Sequence, residues 1–251
     1  MASALKPHLH LEVGHILFLD IVGYSKLLAD EQKELVQELN QVVRETKQFQ
    51  AAEAEGKLTR LPTGDRMVLV FTNNPEAPVE CALEINEKLQ SRPRLRLRMG
   101  IHSGPINLFA DVNDQANLAG AGINVAQRVM SCGDAGHILL SKRFAEDLEH
   151  YAHWRSYLHD VGEVEIKHGA RISLVNLYTD QLGNSALPEK FELARATAAK
   201  EQKRVFRQRV SVGTLAVLAV TIAIGFAFLR AKRTSLAIPE KSIPRATPRC
   251  R

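Results

Sequence analysis

Two short acidic turns hold the residues best suited to chemistry. In the first, the apolar run Ile16–Leu19 ends at Asp20 and passes into Ile21-Val22-Gly23-Tyr24-Ser25. In the second, Thr63-Gly64-Asp65 stands just before the apolar run Met67–Phe71. A short, wholly apolar run reads as a strand buried on both faces, and an acid at its carboxyl end sits where a sheet opens into a site. Alone, Asp20 is as well explained as a cap for the helix that follows. Two carboxylates meeting at neighbouring strand ends are a different matter. They are the hard oxygen ligands that two divalent ions such as Mg²⁺ need around a polyphosphate. Such a pair of ions activates an attacking hydroxyl and stabilises a leaving oxygen. The backbone N–H groups of Ile21, Val22, Gly23 and Tyr24 are placed to cradle phosphate oxygens. Asn124 and Arg128, four residues apart, share one helical face. Arg128 offers a rigid fork of donors to a transferring phosphoryl group, and Asn124 suits a sugar or backbone oxygen. Each residue by itself has an ordinary structural reading. Together they outline phosphoryl transfer of a kind that spacing leaves open.

The elements that must position these groups follow from periodicity. Strand one is expected over His15–Leu19, then one helix over Glu31–Ala54 with Asp30 as N-cap and Leu35, Leu39, Val42 or Val43, Thr46 and Phe49 inward. Lys57–Leu61 and Met67–Phe71 form a hairpin carrying Asp65 near its tip, and Pro75–Gln90 forms a second helix with Cys81 in its apolar face. Arg94–Ile101 alternates basic and apolar residues. One face is therefore buried and the other wet or charge-paired, and its row of arginines reads as an ordinary solvated sheet face rather than a phosphate track. His102-Ser103-Gly104-Pro105 and a polar passage from Asn107 to Gly122 precede the helix Ile123–Ser131 with Asn124 and Arg128. A strand at His137–Leu140, a short helix capped by Ser141, and a hairpin of Gly162–Ile166 with Arg171–Tyr178 complete an α+β sandwich: one sheet, helices largely on one side.

Composition bounds the partners. The chain has 251 residues and a formal net charge of +5. The basic excess is concentrated from Lys190 to Arg209 and beyond Leu229, while the body is close to neutral, which speaks against a nucleic-acid partner. Three cysteines in no metal or disulfide spacing point to a reducing compartment, and the first residues have no apolar core of a signal peptide. Val210–Leu229 carries no charge and is bracketed by Arg209 and Arg230, so it is expected to be a transmembrane helix with the lipid bilayer as a partner. The resulting organisation is a lead-in over 1–12, a folded domain over 13–180, a basic helical linker over 181–209, the span over 210–229 and a disordered tail over 230–251.

Four segments in order resemble the signature blocks of class III adenylate/guanylate cyclase catalytic domains. They are Phe18-Leu19-Asp20-Ile21-Val22-Gly23-Tyr24-Ser25, Gly64-Asp65 with its following strand, His102-Ser103-Gly104-Pro105, and Asn124-Val125-Ala126-Gln127-Arg128. The resemblance covers roughly His15 to Tyr178. It implies a ferredoxin-like (palm-type) α/β sandwich with a mainly antiparallel sheet, working as a homodimer or pseudodimer with sites at the interface. It implies that Asp20 and Asp65 bind two Mg²⁺ or Mn²⁺ ions, and that Asn124 and Arg128 arrive from the opposite subunit to position the ribose and stabilise the pentavalent phosphorus. The ribose 3′-hydroxyl then attacks the α-phosphate of ATP or GTP and releases pyrophosphate. A bacterial, membrane-anchored branch is implied, with a single pass in the plasma membrane and the domain in the cytoplasm. Ala237–Ile243 resembles the point where such members enter a large C-terminal region, so the chain reads as a truncated member or a piece of a split gene.

Two positions depart from the adenylyl pattern. Leu61 stands where a Lys is usual four residues before the second metal Asp, with Arg60 beside it, and Ala121 stands where an Asp or Thr precedes the ribose Asn. Both polar readers of the purine edge are missing, which weakens discrimination between bases. Arg60 is the candidate replacement, and ATP is favoured over GTP as the default of bacterial relatives. The rival reading is a catalytically weak or inactive module that senses or dimerises.

Overall fold

Alternation along the first strand decides the architecture. In the computed structural model, which describes residues 11–72, 74–110, 116–166, 169–197 and 200–204 with Ile222, Ile224, Gly225 and Ala227, β1 spans Leu11–Ile21. It sends Leu17, Leu19 and Ile21 into one apolar cluster and Ile16 and Phe18 into another. A strand's period of two forces that division, and a sheet apolar on both faces needs cover on both. Helices α1 (Ala29–Arg44), α2 (Lys47–Ala54), α3 (Ala77–Leu89) and α5 (Lys142–Leu148) pack into the first cluster. Helix α4 (Ala121–Met130) covers the second.

The sheet contains β2 (Leu58–Thr63), β3 (Arg66–Phe71), β4 (Leu97–Ala110), β5 (Ala116–Ala119), β6 (Ile138–Ser141), β7 (Leu158–Glu165) and β8 (Arg171–Leu177) beside β1. Its order is β2-β3-β1-β4-β6-β8-β7, with β5 paired to β4. The β4–β6 pairing is parallel and the others are antiparallel. A mixed, mostly antiparallel α/β sandwich results, as expected.

Several boundaries differ from the sequence reading, each for a local reason. The helix expected over Glu31–Ala54 is two helices, because Thr46 leaves helical geometry (φ −77°, ψ 142°) and caps α2 by accepting the Phe49 N–H. Helix α1 starts at Ala29 after Leu28, whose backbone N–H is held by Glu31 (3.0 Å), so Asp30 is not the cap. Strand β4 runs straight through His102-Ser103-Gly104-Pro105, held by β1 from Ile21↔Leu97 to Leu11↔Asn107. Part of the polar passage after it is β5. Residues 181–195 also stay with the folded body: Phe191 is buried against Val161 and Leu174, and Arg195 donates to the Val161 carbonyl at 3.0 Å. The chain divides after Arg195, and in the second unit Glu201 and Arg204 pair at 4.0 Å.

The expected transmembrane helix is corrected. A span needs about 20 continuous apolar helical residues, and among the described residues no helix is long and apolar enough to cross a membrane. The longest described, α1, has 16 residues and is amphipathic. Of Val210–Leu229 only Ile222, Ile224, Gly225 and Ala227 are described; the rest, like residues 1–10 and the tail over 230–251, lies outside the described residues. The bilayer partner and the single-pass membrane localisation rested on that helix and are withdrawn with it.

Candidate active site

Strand parity places the first acid. Asp20 falls in step with Ile16 and Phe18, so its side chain lies on the sheet face that α4 covers. It is 3% exposed, and a buried carboxylate needs charged or hydrogen-bonding partners. Register supplies two. Asp20 stands directly opposite Arg66 on β3 and Arg98 on β4. Arg66 Nε donates to Oδ1 at 2.9 Å and Arg98 Nε donates to Oδ2 at 2.7 Å. Arg98 also reaches the Gly133 carbonyl at 3.5 Å. The face of the Arg94–Arg98 row, expected to be wet or charge-paired, is charge-paired at both ends: Arg98 with the buried Asp20, and Arg94 on the surface with Glu31 and Glu34.

The second acid lies in the turn between β2 and β3. Gly64 adopts φ +67°, a conformation that costs a side-chain-bearing residue energy and glycine little. The Asp65 carbonyl accepts the Ile21 N–H at 3.0 Å, which ties the two acid-bearing segments together. Its carboxylate is 32% exposed and lies 3.9 Å from the same Arg66 Nε that holds Asp20. One guanidinium nitrogen thus serves both acids.

The proposed phosphate cradle is narrower than expected. The Ile21 N–H is spent on Asp65, and the Val22 N–H donates to the Arg96 carbonyl at 2.8 Å. Gly23, at φ +83°, turns the chain into the short helical turn Tyr24–Lys26, so Gly23 and Tyr24 are the members of the set left at the turn.

Close packing through glycine sets the position of α4. A Cβ on Gly100 would meet the backbone N of Met130 at 2.3 Å, and one on Gly104 would meet Gly122 Cα at 2.9 Å. Two bare positions on β4 let the helix lie directly on the strand. Gly122, Ala126, Val129 and Met130 face inward, while Ala121, Asn124 and Arg128 are exposed. Asn124 and Arg128 share a cleft of about 540 Å³ with Arg66, Arg98 and Lys190. Four cations around one cleft suit a polyanion. Arg66, Arg98 and Lys190 were not singled out from the sequence. Arg66 directly follows Asp65, which was the available signal; Lys190, whose Nζ donates to the Ser131 carbonyl at 2.6 Å, was hidden by reading its segment as a linker.

Arg60 and Leu61 are separated by the sheet itself. Leu61 packs on the α4 side beside Phe18 and Val68. Arg60 points to the other face, where it pairs with Glu53 at 2.9 Å and lies over Phe49, 5.8 Å from the ring centroid. It is not brought to the cleft, because adjacent residues of a strand face opposite ways.

The two carboxylates pass a simple test as a cation site, since positive charge already sits between them in the form of Arg66. Among the described residues no group of three or more His, Cys, Asp or Glu gathers to hold a metal. Divalent ions would therefore draw their remaining ligands from backbone, water or phosphate oxygens.

Nearby, His102 is buried on β4 with its Nδ1 2.7 Å from Ser141 Oγ. Burial, with Arg143 adding to it, pushes its pKa down to about 4. A neutral imidazole at this position supports the strand beneath α4 and carries no charge into the cleft.

The chain matches a known family. Residues 8–179 match the model of the adenylate and guanylate cyclase catalytic domain, and the chain belongs to that family. A relative in Rhizobium meliloti (strain 1021), named "Putative adenylate cyclase 3", is 26% identical over 171 residues, covering 64% of this chain and 27% of its own length. The chain thus spans about a quarter of that relative. Among solved structures, the adenylyl cyclase CyaB from P. aeruginosa aligns with a TM-score of 0.54 at 19% identity over 72% of this chain and all of its own. The guanylate cyclase domain of RhGC from Catenaria anguillulae, in complex with GTP, aligns with a TM-score of 0.53 at 20% identity over 67% of this chain and 97% of its own. These two share the fold with this chain while differing in the nucleotide of their names.

Proposed function

We propose that this chain is a nucleotide cyclase, with residues 13–180 as its catalytic domain, that converts a purine nucleoside triphosphate to the 3′,5′-cyclic nucleotide and pyrophosphate. The observation that carries this reading is the junction of Asp20 and Asp65, tied through the Ile21–Asp65 backbone bond and sharing Arg66 between the two carboxylates. Two divalent ions held by Asp20 and Asp65 would supply Lewis-acid activation of the ribose hydroxyl and charge neutralisation of the triphosphate. The chain's own groups do the rest. Gly23 and Tyr24 N–H groups receive phosphate oxygens, Lys190 and Arg98 add positive charge to the cleft, Asn124 orients the ribose, and Arg128 bonds the α-phosphate as its negative charge grows. The 3′-hydroxyl gives its proton to water and its oxygen forms the new bond to the α-phosphorus, while the bond from that phosphorus to the oxygen bridging to the β-phosphate breaks and pyrophosphate leaves.

Asn124 and Arg128 act across a homodimer in this proposal. They are exposed on α4, which covers the sheet face that carries Asp20. In a two-fold dimer built on that side, residue i of one copy meets residue j of the other. ATP is favoured and GTP remains a substrate, because Leu61 and Ala121 offer no hydrogen bond to a purine edge. The test is direct: incubate the purified chain with Mn²⁺ and each triphosphate and identify the products. Cyclic nucleotide from ATP, with at most modest preference over GTP, is expected. No cyclic product from either would refute the proposal. A second reading, a weak or silent cyclase-like module, is favoured by the occupation of both Asp20 oxygens by arginine.

A further inference from the structure

Resting on the reading of Asp20 and Asp65 as the metal site, we infer that Arg66 is a tethered counter-cation that divalent ions must displace, so that metal entry is held in check by the residue next to the second acid. Its Nε lies 2.9 Å from Asp20 Oδ1 and 3.9 Å from Asp65 Oδ1, and among the described residues it is the cationic group paired with both acids. An ion taking one oxygen from each carboxylate needs the space between them that this guanidinium fills. Like charge adds to the steric conflict, because a divalent ion placed beside an undisplaced arginine is repelled in a partly desolvated site.

The two arginines on Asp20 differ in exposure. Arg98 is 30% exposed. Arg66, the first residue of β3, is 41% exposed. Its long side chain can swing towards water while its backbone stays in the β1–β3 ladder. Arg98 would then remain as the permanent partner of Asp20 Oδ2, leaving Oδ1 and Asp65 to the incoming ion. A triphosphate arriving with its metal offers Arg66 a new anion, so nucleotide and metal binding are expected to reinforce each other.

The test is Mn²⁺ binding to the full chain without nucleotide, read as the loss of the free-ion electron paramagnetic resonance signal. Wild type is compared with Arg66→Ala, Arg66→Gln and Arg66→Lys, each checked for folding by circular dichroism. The neutral variants should bind Mn²⁺ at least about tenfold more tightly than wild type, Arg66→Lys should stay close to wild type, and Asp65→Asn should weaken binding in every background. Equal affinity in wild type, Arg66→Ala and Arg66→Gln, still sensitive to Asp65→Asn, would overturn the counter-cation and leave the metal site standing. Absence of Asp65-dependent binding in all of them would overturn the metal site itself, and this inference with it.

Discussion

At the scale of residues, charge placement separates what keeps the protein folded from what its cleft does. Asp20 is buried between two partly exposed arginines. Neutralising it leaves both guanidinium groups without their anion, a loss that solvent only partly offsets. Asp20→Asn should therefore lower the unfolding free energy by about 1–3 kcal/mol in urea titrations as well as stopping turnover. Arg128 is exposed and its side chain is engaged by no carboxylate among the described residues. Arg128→Ala should cost at least about 10²-fold in the rate of cyclic nucleotide formation while stability stays within about 0.5 kcal/mol of wild type. A large stability loss would return Arg128 to a structural role. His102 sets a pH dependence of opposite origin. Its folded pKa, about 4, lies below its ordinary 6.5, so in that interval the unfolded chain binds the extra proton. Stability is then complete above 6.5 and falls as the pH drops towards 4. Thermal melts across this window should show a fall that His102→Gln reduces; an identical pH profile in the variant would remove His102 as the cause.

At the scale of elements, the fit of α4 onto β4 is the joint on which the cleft depends. Gly100→Ala pushes a methyl group into the Met130 backbone, which cannot rotate out of the way as a side chain would. Overpacking of this kind should cost about 1–3 kcal/mol and shift Asn124 and Arg128, so activity should fall together with the urea midpoint. Unchanged stability would mean that α4 does not lie this close. Much of this joint was legible beforehand. Apolar alternation marked β1, β3 and β4, and the spacing of Asn124 and Arg128 put both on one helical face. The parts that escaped depend on contacts distant in sequence. Thr46 keeps the helical spacing of Val42, Val43 and Phe49, so periodicity runs through the break that its capping bond creates. Arg98 looks solvated from its neighbours alone; only the register of β1 against β3 and β4 puts Asp20 opposite both arginines. Arg60 and Leu61 could be told apart only once the hairpin's faces were assigned.

At the scale of the whole molecule, the described residues divide after Arg195, and the catalytic family match lies wholly in the first unit. An uncharged stretch of twenty residues was read as a membrane span from hydropathy alone, and a span requires the continuous helix that the described residues do not contain. Within the folded unit, Asp20 lies on the sheet face that α4 covers and α4 leaves Asn124 and Arg128 exposed, so the proposed working site is expected to be shared between two copies. The measurement that tests this most directly mixes two inactive chains. Asp65→Asn lacks one acid and Arg128→Ala lacks the arginine, and co-expression pairs them at random, so about half the dimers carry one site with both residues intact. The mixture should recover about a quarter of the wild-type rate of cyclic nucleotide formation. A mixture as inactive as its components, beside an active wild type, would contradict a site assembled from two chains.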